Sequence, residues 1–391
     1  MQEFSASAAR ALDAPAPDER AAAAERAAAA AWPTTADEMW RYSRIDDLDL
    51  AAFTPAASVT RVTGAGDALL PVGDLAAVPT VVDGASPDVF AELNAAFMTP
   101  VVIRIPAGHT AAEPIVVTHE VGGAGVAVFP RLVVDAGADS EATVIERFVA
   151  ADPDGRDATL VVPVLQLRAG PAARIQYLGV NELDEATWQI GHQQAVGDQD
   201  STVTLATVAL GGAYARVRTD ARVAGPGGST RQVALYFAGG DQMHDFRTIQ
   251  DHDAPHTTSD LLFKGVVQDR SRSVYTGLIK IRPHARGTAA FQTNRNLTLG
   301  AGAWAESVPN LEIETNDVRC SHASTVGPID PEQRFYLESR GIPTQIAERL
   351  IVLGFFDEVL EQLPASPELA ASLRARVSAK LDLDRTLTGV A

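Results

Sequence analysis

A single cysteine, Cys320, occurs in the 391 residues. That scarcity excludes an internal disulfide and an internal all-cysteine cluster site, and it is compatible with a reducing compartment. Positive charge is also short: 32 Lys and Arg against 50 Asp and Glu give a formal net charge of −18. Such a field repels a phosphate backbone and no local basic patch offsets it, so nucleic acid is not expected as a partner. No uninterrupted apolar run reaches the roughly 18 to 20 residues needed to cross a bilayer. The start, Met1-Gln2-Glu3-Phe4, lacks the basic-then-apolar order of a secretion signal, and the expected location is the cytoplasm.

Several catalytic signatures are missing as well. The glycine-rich stretch Ala224 to Thr230 has no lysine and no strand-to-helix context, so it reads as a turn rather than a phosphate loop. There is no Gly-x-Ser-x-Gly elbow and no His-Glu-x-x-His, and Asp220, Asp241 and Asp245 form no evident glycosidase pair.

What is present describes a folded chain. Hydrophobic residues make up 46% with a mean hydropathy of +0.01, enough for a sizeable core in about two or three domains. Residues 5 to 32 are dominated by alanine and predict a helix with a weak apolar stripe, hence shallow packing. Thr34 or Thr35 is placed to cap a short helix beginning near Asp37-Glu38, with Trp40 and Tyr42 as packing anchors. A small helix is expected around Pro87 to Phe97.

From Val101 to about Asp317, short alternating runs of Val, Thr, Ala and Ile are broken by Gly, Pro or Asp, and helical periodicity is absent. The repetition fits a β-solenoid whose coils share one core, although no period is readable and a double sandwich stays open. Helical character returns after Pro331: one helix from Glu332 to Arg340 stopped by Gly341, a second from near Thr344 towards Leu360, and a last one capped by Ser366 and reaching about Lys380. The second is very apolar. Phe355 and Phe356 cannot both face inwards on one helical face, so part of it is either a partner-docking surface or a cap on the solenoid end.

Two sets of residues point to metal chemistry. Four of the eight histidines, His244, His252, His256 and His284, lie close together beside Asp245, Asp251 and Asp260, but their spacing matches no metal motif. Cys320 and His322 form the stronger pair. On a strand they share a face, and a positive imidazole nearby would favour the thiolate that binds iron or accepts sulfur. A lone cysteine is equally often buried and inert. Two ligands cannot close a four-ligand site, so tight binding requires another chain.

These residues also carry a resemblance. Pro33-Thr34-Thr35 with Glu38-x-Trp40-Arg41-Tyr42, Leu93-Asn94-x-Ala96-Phe97 and His256-x-x-x-Ser259-x-x-Leu262-x-Lys264-Gly265 occur in order. Gly277 to Pro283 with Ala285, Gln292-x-Asn294-Arg295-Asn296-Leu297, Pro309-x-Leu311-Glu312-Ile313 and the segment from Cys320 to Ile342 follow. Over about residues 33 to 360 the chain resembles the SufB/SufD family of iron–sulfur cluster assembly scaffolds.

The resemblance implies a right-handed parallel β-helix over 101–330, between an N-terminal helical and mixed region (1–100) and a C-terminal helical region (331–391). It implies a non-enzymatic scaffold that pairs with SufB through the β-helices and docks the ATPase SufC on the C-terminal helices, about 342–360, in a complex with two copies of SufC. SufD-like members carry a cysteine-x-histidine pair where this chain has Cys320 and His322, and the histidine is implicated in nascent cluster formation. SufB-like members place an essential cysteine where this chain has Leu337. Ala323 departs from the glycine that commonly follows the histidine. The expected metal residues are therefore His322 and Cys320, holding iron or a nascent cluster at the SufB interface. Reduced flavin in the complex rests on the family alone, with no flavin motif present, and a homodimer of the isolated chain through the surface offered to SufB stays open. A structural solenoid adaptor, with the cluster chemistry in SufB, is the competing reading, and a carbohydrate-active β-helix enzyme is a remote one.

Overall fold

The computed structural model describes residues 2–12, 16–66, 69–70 and 86–387. Its centre is a parallel β-solenoid. One sheet has nine strands in the order Val59–Thr63, Ile115–Val121, Glu141–Ala150, Arg174–Glu182, Thr202–Ala209, Ser229–Ala238, Thr258–Gln268, Thr288–Leu299 and Val318–Gly327. Only the first pairing is antiparallel. The facing sheet of twelve strands ends, at the same end of the solenoid, with Arg272–Ile281 and Trp304–Ile313. Thr202 opposes Ser229, Ser229 opposes Thr258 and Thr258 opposes Ala289, so each turn takes about thirty residues. Stacked parallel strands rule out the sandwich.

Alternation decides what fills the interior. Early turns bury aliphatic residues such as Ile103, Val134, Leu167 and Ile175. Later turns bury an aromatic stack in which Tyr236, Phe246, Phe263 and Tyr275 lie 4.7 to 5.7 Å apart, ring to ring. Gly265 belongs to this layer: a Cβ there would sit 1.8 Å from the Tyr236 ring, so only glycine fits the neighbouring turn.

The alanine-rich N-terminus forms two helices rather than one, α1 (Ala6–Ala11) and α2 (Pro17–Ala29). Pro17 restarts the helix from its first turn, where it needs no N–H partner. The packing is not shallow: Ala9, Ala21, Ala23, Ala24 and Ala27 are buried, their small side chains letting α2 approach α3 (Val89–Phe97). Arg20 donates to the carbonyls of Ala96 and Met98 at 3.1 and 2.8 Å, satisfying the C-terminal end of α3. The expected cap at Thr34 or Thr35 does not form. The short 3₁₀ turn Glu38–Trp40 has Asp37 before it, and Asp37 instead accepts from the Thr34 N–H at 2.8 Å.

Three helices follow the last strand: α4 (Pro331–Glu338), α5 (Thr344–Leu360) and α6 (Pro367–Leu387). Gly341, at φ 81°, makes the turn between α4 and α5 that a side chain would resist. Val352, Phe356 and Val359 of α5, with Leu373 and Val377 of α6, pack on the outer side of the solenoid against Val233, Leu235 and Phe237. Both phenylalanines contact the solenoid, contrary to the expectation from their adjacency. Phe356 lies 6.2 Å from Phe237, and the Lys264 ammonium sits 4.6 Å from the centre of Phe355.

Candidate functional site

Cys320 and His322 lie on Val318–Gly327, the last strand of the nine-stranded sheet. Parallel pairing sets Cys320 opposite Ala290 and His322 opposite Gln292, and both of those residues are buried. The pair therefore continues an inward-facing column onto a turn that, among the described residues, no further turn covers. Cys320 is half-buried against the apolar cluster of Ile279, Ile281, Ala285 and Ala290, while His322 is exposed. Two positions along a strand separates their Cα atoms by about 6.8 Å on one face.

That packing corrects one expectation. Burial pushes the Cys320 thiol above its ordinary value of 9.0, so at neutral pH the sulfur carries its proton rather than being held as thiolate. The apolar neighbours responsible come from the preceding turn. A metal or a partner's cation can displace that proton, but the fold of this chain alone does not.

The histidine-rich segment is structural. His244 is fully buried, donates from Nε2 to Gly211 O at 3.3 Å, and burial pulls it down to about 3. His252 lies between the Thr257 and Ser259 hydroxyls at 2.8 Å each, and burial pulls it to about 4. Both are neutral at physiological pH. His284 pairs with the Asp253 carboxylate at 2.9 Å, and His256 occupies a turn at φ 59°. Among the described residues, no group of three or more His, Cys, Asp or Glu side chains is placed to hold a metal. Cys320 and His322 thus remain two donors without a third among the described residues.

Other residues act through position. Lys264 is 3% exposed; it donates to Phe355 O at 2.9 Å and pairs with Glu358, fixing α5 to the solenoid. The hydrogen bond from Lys264 holds the Glu358 carboxyl below its ordinary value. Asp245 is buried between Arg216 and Arg247, which also donate to Met39 O and Arg41 O at 2.6 Å and so anchor the N-terminal segment. The Arg216 guanidinium lies 3.9 Å from the Trp40 ring centre, which makes Trp40 a packing anchor as expected. Tyr42 is 45% exposed and meets Trp304 edge-on. The sequence places Asp245 beside a histidine and among scattered carboxylates, but its two arginine partners lie on the preceding turn and two residues along the strand.

Several of the exposed large apolar side chains lie near the solenoid end and the C-terminal helices. Leu311, Ile313 and Val326 are exposed on the final strands, and Phe335, Tyr336, Ile346 and Leu350 on α4 and the first half of α5. Among the described residues, no helix is long and apolar enough to cross a membrane.

The sequence that builds this solenoid and its flanking helices is similar to known proteins. The family model for the SUF system FeS cluster assembly SufBD core domain matches residues 118–355. An iron-sulfur cluster assembly SufBD family protein of Mycobacterium tuberculosis is 32% identical over 373 residues, 90% of each chain. The chain belongs to the SufBD family of iron–sulfur cluster assembly proteins. Within it the chain is SufD-like. It is 33% identical over 283 residues to the iron-sulfur cluster assembly protein SufD of Escherichia coli, covering 71% of this chain and 66% of that one. SufD of Bacillus subtilis is 30% identical over 241 residues, 61% and 54% of the two chains.

Proposed function

We propose that this chain is the SufD-type subunit of a SUF scaffold, in which its open solenoid end meets a SufB-like partner and its C-terminal helices dock a SufC-like ATPase. One observation carries the reading: Cys320 and His322 sit two positions apart on the last strand of the nine-stranded sheet, and among the described residues no third His, Cys, Asp or Glu joins them in a metal-holding group. Such a half-site becomes useful when a second protein supplies thiolates or carboxylates across the end. Iron or a nascent cluster is then cargo held between subunits. His322, exposed, is the accessible donor; Cys320 is the more recessed one and loses its proton when cargo binds.

The chain acts as a scaffold rather than a catalyst, because the ATP hydrolysis is performed by the SufC-like subunit. Docking there uses a smaller surface than the apolar stretch 342–360, since Val352, Phe356, Val359 and Leu360 are spent on the solenoid. Ile346 and Leu350, beside Phe335 and Tyr336, are the part of that stretch left for a partner. A solenoid adaptor without cluster chemistry would tolerate loss of both ligands.

The test is cluster reconstitution on the assembled complex. His322→Ala should leave subunit composition unchanged and lower the cluster yield, read by the visible absorbance of bound iron–sulfide and by iron and sulfide analysis. A normal yield from His322→Ala and from the Cys320→Ser, His322→Ala double variant would establish the adaptor reading instead.

A further inference from the structure

The outer face of the twelve-stranded sheet carries charges in register. Arg104, Asp135, Arg168, Val196, Arg222, Asp251, Lys280 and Glu312 occupy one column, each opposite the next on successive turns. Sign alternates on either side of Val196. Interior carboxylates of the column have a cation in register on both sides. Asp135 stands between Arg104 and Arg168 and accepts from them at 3.3 and 2.5 Å, and Asp251 stands between Arg222 and Lys280.

Glu312 ends the column and breaks that pattern. It sits on Trp304–Ile313 and takes one cation, Lys280, at 2.8 Å. Among the described residues no further strand pairs beyond it, and its carboxylate side chain is 46% exposed. Leu311 and Ile313 on either side point to the opposite face and are 40% and 41% exposed. An edge strand has free backbone donors and acceptors and invites one more strand. The side chains select which one: apolar, cationic, apolar.

We propose that Glu312 selects and registers the partner at this edge, the occupant being a β-strand of the SufB-like subunit that sets a Lys or Arg against Glu312 between two apolar residues. This rests on the assembly reading above and adds the chemistry that recognises the partner. A carboxylate placed at the edge only to discourage aggregation would have no preference among partner strands.

The experiment measures binding of the wild-type chain, Glu312→Gln and Glu312→Lys to the SufB-like protein of the same organism by calorimetry, at about 50 mM and about 500 mM NaCl. At low salt Glu312→Gln should bind roughly two- to fivefold more weakly and Glu312→Lys at least about tenfold, both differences narrowing at high salt. Unchanged thermal unfolding of both variants shows that the fold is intact. If Glu312→Lys binds as tightly as wild type at low salt, the role of Glu312 is overturned while the assembly reading stands. If the wild-type chain does not bind, the assembly reading fails and the partner assignment with it. Self-association of the wild-type chain that is lost in Glu312→Lys, without binding to the SufB-like protein, would give the edge to a second copy and overturn the proposed occupant.

Discussion

Replacing Lys264 with methionine isolates the contact that fixes α5, the helix proposed to present the ATPase-docking surface. Methionine keeps most of the stem and removes three interactions: the hydrogen bond to Phe355 O at 2.9 Å, the pair with Glu358, and the ammonium 4.6 Å from the Phe355 ring centre. A hydrogen bond from a charged donor contributes about 1.5–3 kcal/mol and the ring contact about 0.5–1 kcal/mol. Glu358 is 51% exposed, so solvent screening limits its share to below about 1 kcal/mol. Relief from burying an ammonium works in the other direction, leaving a net loss of about 1–3 kcal/mol. Because these contacts join α5 to one face of the solenoid, the loss is local. Hydrogen exchange followed by mass spectrometry should show α5 amides exchanging about 5- to 150-fold faster, with strands such as Thr202–Ala209 unchanged. Unchanged protection in α5, or an equal increase throughout the solenoid, would refute the reasoning.

Three further outcomes are expected. Asp245→Asn leaves the buried Arg216 and Arg247 without a counter-charge and should cost about 3–5 kcal/mol in urea unfolding at pH 7. Burial alone would raise the Asp245 carboxyl, but Arg216 and then Arg247 hold it below its ordinary 3.8. Its contribution is therefore complete above the unfolded carboxylate range and fades as pH falls through the lowered native value, so the gap between wild type and variant should shrink in acid; a gap that widened there would contradict the pairing. Cys320, the one cysteine, should react with iodoacetamide more slowly at pH 7 than a free thiol and accelerate towards and above pH 9, whereas fast reaction at pH 7 would disprove the raised thiol. Leu350→Glu changes an exposed side chain, so it should leave the unfolding free energy within about 0.5 kcal/mol yet weaken docking of the SufC-like protein at least about tenfold; undiminished docking would move that surface elsewhere.

The parts of the fold that sequence reveals are those marked by local chemistry. Gly341 separates α4 from α5, and Ser366 accepts from the Leu369 N–H at 3.2 Å at the start of α6, as expected. The period stayed hidden for a physical reason. Ser229–Ala238 is covered by the solenoid interior on one side and by the C-terminal helices on the other, so buried residues run continuously and alternation disappears. Corner segments also vary in length between turns. At the site, residue spacing was enough to place Cys320 and His322 on one face. It could not show Ile279 and Ile281 pressed against Cys320, nor Thr257 and Ser259 enclosing His252, because those arrangements depend on how turns stack and bend. The same limit applied to the phenylalanine pair: Lys264, about ninety residues earlier in sequence, draws Phe355 onto the solenoid.

The central claim is that the open end and the appended helices are unfinished surfaces completed by other subunits. Its most direct test is to co-express the chain with the SufB-like and SufC-like proteins of its own organism and determine the native mass and subunit ratio of the purified assembly. A complex with one copy of this chain, one SufB-like subunit and two SufC-like subunits is the predicted result. A chain that stays alone, under conditions where the other two assemble with each other, would contradict the account.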